Sequence, residues 1–155
     1  MPELEDELIL YYVYNLNWLL PIDKQTEAMD FLSKLPSNKV DMIIPTYGKE
    51  CWDNGVKVIK KIGFPQNKKA LYKLARLLQD RNCPGALDAI EVFREIGKEH
   101  SVPYIEEECQ IAIKQKNEDW LEHLYYACES LGYSQNDFED KNAFICMQKI
   151  AKEIL

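Results

Sequence analysis

Histidine is scarce in this chain, glycine is thin, and no Cys-x-x-Cys pair occurs in its 155 residues. Two histidines, His100 and His123, leave little for a zinc site, which needs further donors converging from elsewhere. Glu118, Asp119, Glu122 and His123 offer carboxylate and imidazole groups at helical spacing, yet no second donor cluster is identifiable. The six glycines build no phosphate loop: Gly48-Lys49 lacks the upstream glycine and the following Ser/Thr of that motif. Five cysteines, an odd number, fall about one per helical unit at Cys51, Cys83, Cys109, Cys128 and Cys146. That spacing suits reduced, buried small hydrophobes in a cytoplasmic protein.

Long apolar runs are missing as well. Leu8 to Leu20 is the richest stretch, but Asn15 and Asn17 interrupt it and it is too short to span a bilayer. Its upstream flank of Glu3, Glu5, Asp6 and Glu7 is the opposite of a signal peptide's basic region. A net charge of −7 argues against general nucleic-acid affinity, which needs a cationic surface. β-favouring runs are almost absent.

What is present is helix punctuation. Asn82 to Gly97 reads as one complete helix: Pro84 is tolerated in a first turn, Ala86, Ala89, Ile90, Phe93 and Ile96 share a face, and Gly97 ends it. Ile-Gly recurs 34 residues earlier at Gly63, and Leu-Gly 35 residues later at Gly132. A period near 34 with helical patterning marks a stacked array of helical hairpins. The remaining elements follow in order. A first helix is expected over Glu3 to Trp18, with Pro21 ending it, and a second over Thr26 to Leu35. A short one over Lys39 to Ile44 is stopped by Pro45. Trp52 to Ile62 comes next, then a helix capped by Asn67 with Leu71, Leu74 and Leu78 inward. Ser101 is expected to cap a helix with Pro103 in its first turn. Asn117 or Asp119 begins another, and Asp140 or Asn142 a terminal one whose Ala143, Met147, Ile150 and Ile154 form an apolar seam. The predicted fold is all-α: one domain over residues 1–155, a solenoid of roughly eight to nine helices with the terminal helices as caps.

Three short segments carry a family resemblance. Leu20-Pro21-Ile22-Asp23-Lys24, Ile43-Ile44-Pro45 and Asp80-Arg81-Asn82-Cys83-Pro84-Gly85 resemble those of a family of small uncharacterised bacterial HEAT-like repeat proteins. Pro21 and Ile22 are transposed relative to that family's Leu-Ile-Pro-x-Asp-Lys, and Cys83 stands where it has Trp. The resemblance implies a bacterial origin and a helical-repeat fold, and brings no catalytic residues with it. Small acidic bacterial proteins of this build are also similar in kind to immunity proteins that neutralise toxins.

Charge is unevenly distributed. Residues 1–48 carry a balance of −5, residues 49–81 of +6, and residues 82–155 of −8. Two surfaces are therefore candidates. In the acidic half, Glu106, Glu107 and Gln110 on one helix and Glu118, Glu122, His123, Tyr126 and Glu129 on the next are expected outward, as a carboxylate wall for a basic protein partner. In the basic hairpin, Lys57, Lys60, Lys61, Lys68, Lys69, Lys73 and Arg76 avoid apolar positions and offer an alternative patch for phosphate or nucleic acid. Cys128 with His123 makes a poor nucleophilic pair because Cys128 belongs to a core stripe. Glu106-Glu107-Glu108 point to different sides of a helix, which disfavours paired acid–base work. The aromatic cluster of Tyr11, Tyr12, Tyr14 and Trp18 is expected to cap the stack, or to leave a surplus face for a partner or a second copy. The expected function is a non-enzymatic protein-binding repeat module without cofactor or metal, in the bacterial cytoplasm: an immunity protein that occludes a toxin domain.

Overall fold

Apolar stripes separated by Pro, Gly and Asn give helices throughout. The computed structural model describes residues 5–154, with eight α-helices, several one-turn 3₁₀ segments and no strand among them. Glu3, where the first helix was expected to begin, lies outside the described residues, as does the side chain of Ile154. The chain divides into two compact units, Met1–Lys73 and Leu74–Leu155.

The first unit begins with α1 (Asp6–Tyr14), whose Asp6 and Glu7 sit where carboxylates favour the helix dipole. The helix stops at Asn15, short of the expected Trp18. The reason is a buried amide network. Asn54 Nδ2 donates to the Leu16 carbonyl and to Gln25 Oε1, both at 2.8 Å, and Gln25 Nε2 donates to the carbonyls of Leu20 and Trp18 at 2.7 and 3.2 Å. Three carbonyls just beyond the helix end are thus held by side chains from later elements. Pro21 then precedes α2 (Ile22–Leu32) rather than ending α1, so α2 starts four residues before the expected Thr26. A 3₁₀ turn at Val40–Ile43 replaces the short helix before Pro45. A second turn, Lys49–Cys51, leads into α3 (Trp52–Ile62), which has the expected bounds.

Helix α3 packs closely on the Val40–Ile43 turn. A Cβ at Gly55 would lie 2.7 Å from Ile44 Cδ1 and 3.2 Å from the Ile43 carbonyl oxygen, so this contact requires the missing side chain. Asn67 does not cap the following turn as expected; its side chain is buried and donates 2.9 Å back to the Ile59 carbonyl. Ile9, Val13, Leu16, Leu32, Ile43, Val56 and Ile59 form the buried core of this unit. After the Lys68–Ala70 turn, α4 (Leu71–Leu77) contains the boundary between the units.

In the second unit, α5 (Ala86–Ile96) packs on α6 (Lys98–Lys114) and α7 (Glu118–Leu131), and α6 and α7 both pack on α8 (Lys141–Ile154). Phe93, Ile105, Cys109, Leu124, Cys128, Phe138 and Met147 are buried among them. Gly97 is the sole residue between α5 and α6, closing one and opening the other at φ 88°, ψ 158°. Gly63 ends α3 in nearly the same conformation, φ 81°, ψ 160°, a region that L residues with a Cβ rarely enter. Helices α3 and α5 are both 11 residues long and end at glycines 34 residues apart. Gly132 ends α7 as well, in the ordinary left-handed form. All three glycines therefore terminate helices.

Five side-chain bonds between distant parts of the second unit span close to this period, whereas others, such as Arg81 to Glu122 across 41 residues, do not. Arg76 to Glu108, Arg94 to Ser130, Ser101 to Tyr133, Cys109 to Ala143 and Glu106 to Asp140 each span 32–36 residues.

Candidate binding surface

Helix α6 begins at Lys98, earlier than its punctuation suggests. Ser101 was expected as its cap but is fully buried, with its hydroxyl bonded to that of Tyr133. Gly97 takes over the corner. Pro103 consequently sits inside the helix, where it withholds the N–H that would close on the Glu99 carbonyl.

One turn further on, Glu106 departs from its expected outward position. Its carboxylate is buried and accepts the backbone N–H groups of Glu139 and Asp140, at 2.9 and 2.8 Å. Asp140 in turn accepts the N–H of Ala143 at 3.1 Å in the first turn of α8. The segment before α8 is further stiffened by Ser134, whose N–H donates 2.7 Å to Asp137. That bond, followed by Lys98 at 3.3 Å, holds the Asp137 carboxyl below its ordinary range. The carboxylate of Glu106 is thus a clasp, fixing the 134–140 segment along α6.

Between these two walls lies an open groove of about 830 Å³. Its lining includes Lys98, Val102 and Pro103, and the carboxylates of Glu99, Glu106, Glu107, Asp137 and Glu139. Glu106 and Asp137 are engaged as described, whereas Glu99, Glu107 and Glu139 are exposed. Gln110, also in the lining, reaches Asp140 at 3.5 Å. Three of the expected wall residues, Glu106, Glu107 and Gln110, are therefore together. Glu99, Asp137 and Glu139 complete the groove, and sequence reasoning missed them.

The α7 members of the expected wall have a different setting. Arg81, from the connection after α4, donates through Nη1 to Glu122 at 2.6 Å. Its backbone N–H donates to Nδ1 of His123 at 3.2 Å, and its guanidinium lies 4.8 Å from the Tyr126 ring centre. Glu122 and His123 are consequently mostly covered rather than outward. The Arg81 bond holds the Glu122 carboxyl below its usual value. An accepting Nδ1 puts the His123 proton on Nε2, which faces Asp80 at 3.9 Å. Glu118, Tyr126 and Glu129 remain exposed on α7, outside the groove lining.

The basic hairpin is also partly engaged. Lys57 pairs with Asp53 at 3.1 Å. Lys73, expected at the surface, is half-buried and donates 2.9 Å to the Ile44 carbonyl, and burial lowers its pKa. Lys60, Lys61, Lys68 and Lys69 are exposed. Arg76, in the second unit, bonds through Nε to the buried carboxylate of Glu108 at 2.8 Å and stacks 5.3 Å above Trp120.

Cys51, Cys109 and Cys128 are buried thiols, and Cys83 and Cys146 are partly exposed. Burial pushes the Cys51 thiol to about 11 and that of Cys109 to about 12, and raises Cys128 well above its ordinary value. Among the described residues, no three His, Cys, Asp or Glu side chains converge as a metal set, and no helix is long and apolar enough to cross a membrane. No family model, curated protein or solved structure matches this chain.

Proposed function

We propose that this chain is a non-enzymatic, protein-binding module built as a HEAT-like stack of helical hairpins, and that its α6 groove grips a basic segment of a partner protein. The observation that carries the reading is the groove itself. Exposed Glu99, Glu107 and Glu139 stand on two walls that the Glu106 clasp holds at fixed spacing. Preorganised carboxylates of one sign accelerate encounter with a cationic partner and select its orientation. Val102 and Pro103 at the same groove add apolar surface for the stems of lysine or arginine. The stack is supported by the helix-ending glycines and by the bonds spanning one period.

A bacterial immunity protein that occludes a toxin domain, working in the cytoplasm, is the role that best suits an acidic scaffold of this size. Co-expression with toxins encoded beside its gene tests this role. Rescue of growth that is lost on Glu99→Lys/Glu107→Lys supports it; no rescue by the folded protein contradicts it. The competing reading, a phosphate or nucleic-acid binder, rests on Lys60, Lys61, Lys68 and Lys69. Binding to a labelled duplex at roughly 50 mM salt, where such contacts are strongest, is its test.

A further inference from the structure

We infer that the partner segment gripped by the α6 groove ends its basic run near Gln110 and continues with an apolar side chain, which seats in a second hollow between α6 and the start of α8. This rests on the groove being a receptor for a basic segment, and it adds what must follow the basic residues. The second hollow measures about 390 Å³, and its lining includes Gln110, Ile113, Lys114, Ala143 and Cys146. Gln110 lines the acidic groove as well, so the two hollows lie end to end along one helix. Glu99, Pro103, Glu106, Gln110 and Ile113 recur at alternate steps of four and three residues, which is one face of α6.

The boundary between the hollows is the Gln110 contact to Asp140 at 3.5 Å, with the Asp140 N–H itself held by Glu106 at 2.8 Å. Beyond it the walls stay fixed but the chemistry changes. The Ala143 carbonyl accepts from the Cys109 thiol at 3.6 Å, and the Ala143 N–H donates to Asp140 at 3.1 Å. Ile113 and Cys146 are partly exposed there, and the exposed Lys114 stands one turn past Gln110. Its ammonium repels a further lysine or arginine, whereas the exposed Glu99, Glu107 and Glu139 of the first hollow attract them. A segment basic along its whole length therefore suits the first hollow and not the second. Glu107 and Ile113 are separated by ~9 Å along α6, the reach of about three residues of extended chain. The partner thus carries a leucine-like side chain about three residues beyond its last basic one, where it covers Ile113 and the Cys146 thiol.

Blocked peptides titrated calorimetrically into the full chain are the test. Two peptides share a pair of arginines and differ, three residues further on, in leucine or serine; each is also made in the reverse residue order. In one chain direction leucine should bind about tenfold more tightly than serine, a gain that Ile113→Asn removes. The same peptide should slow alkylation of Cys146 severalfold while Cys83 reacts as before, and this protection decides the matter if Ile113→Asn unfolds. Equal affinity for leucine and serine in both directions, still lost on Glu99→Lys/Glu107→Lys, overturns the inference and leaves the acidic groove's role standing. A leucine gain that neither protects Cys146 nor responds to Ile113→Asn overturns it too. No binding by any of the peptides removes the receptor reading and this inference together.

Discussion

Replacing Arg76 with Met keeps a stem of similar length and removes the charge bonded to Glu108 at 2.8 Å. The Glu108 side chain is 6 % exposed and that of Arg76 51 %. The lost partner therefore leaves a buried carboxylate, a situation that costs 3–5 kcal/mol in general. Glu108 has an escape: it can take up a proton. Burial already raises its pKa, against the lowering influence of Arg76. A carboxyl that ionises near 4.3 when unfolded costs about 3.7 kcal/mol to hold neutral at pH 7 and about 1 kcal/mol at pH 5. Those figures are ceilings, because the wild-type chain already carries part of the burial penalty and the half-exposed Arg76 is partly screened. The stacking of Arg76 on Trp120 adds roughly 0.5–1 kcal/mol that does not depend on pH. Arg76→Met should therefore lose about 3 kcal/mol at pH 7 and about half that at pH 5. The sign follows from proton uptake: a pKa raised in the folded state makes that state bind more protons, so stability rises as pH falls towards the unfolded value. Urea unfolding followed by circular dichroism at pH 5, 6 and 7 measures it. Glu108→Gln is the control, with a cost within about 1 kcal/mol and no such pH trend. A cost for Arg76→Met that is equal at both ends of the range, or that grows towards acid, refutes the reasoning.

Other substitutions probe other joints. Gly55→Ala should destabilise the chain by about 1–3 kcal/mol in the same assay, because the added methyl meets Ile44 Cδ1 at 2.7 Å and the carbonyl of Ile43 cannot retreat. Asn54→Leu should cost a similar amount, about 1–3 kcal/mol, by leaving the Leu16 carbonyl and Gln25 Oε1 without their buried donor. Reaction with a thiol reagent at pH 8 should show at most two fast cysteines, Cys83 and Cys146, while Cys51, Cys109 and Cys128 react only on unfolding. Mass spectrometry of the quenched reaction identifies them.

Sequence legibility followed the range of the forces involved. The α3 bounds, the Asn117 cap whose side chain accepts the Trp120 N–H, and the helix-ending glycines were readable because each depends on neighbours within one turn. Features set from a distance were not. Ser101 looks like a helix cap, but Tyr133, 32 residues on, draws it into the core. Nothing in the local pattern says that Asn54 and Gln25 take the carbonyls after α1 and stop that helix early. The candidate surface divided along the same line. Helical spacing identified Glu106, Glu107 and Gln110 as sharing a region. Their opposite wall, Asp137 and Glu139, comes from a segment that periodicity cannot see. Glu106 itself reads as a surface carboxylate until its two backbone donors are known. Glu122 and His123 were covered by Arg81 from 41 and 42 residues away, a contact with no local signature.

The central claim is that the α6 groove is a receptor for a basic protein segment. Its most direct test is to titrate the isotope-labelled chain with a short lysine- and arginine-rich peptide and to follow every backbone amide by nuclear magnetic resonance. Saturable shifts centred on Glu99, Glu107, Gln110 and Glu139, abolished by Glu99→Lys/Glu107→Lys, are the predicted result. Shifts spread evenly over all acidic residues, or centred on α7 around Glu118 and Glu129 with the groove unmoved, would contradict it.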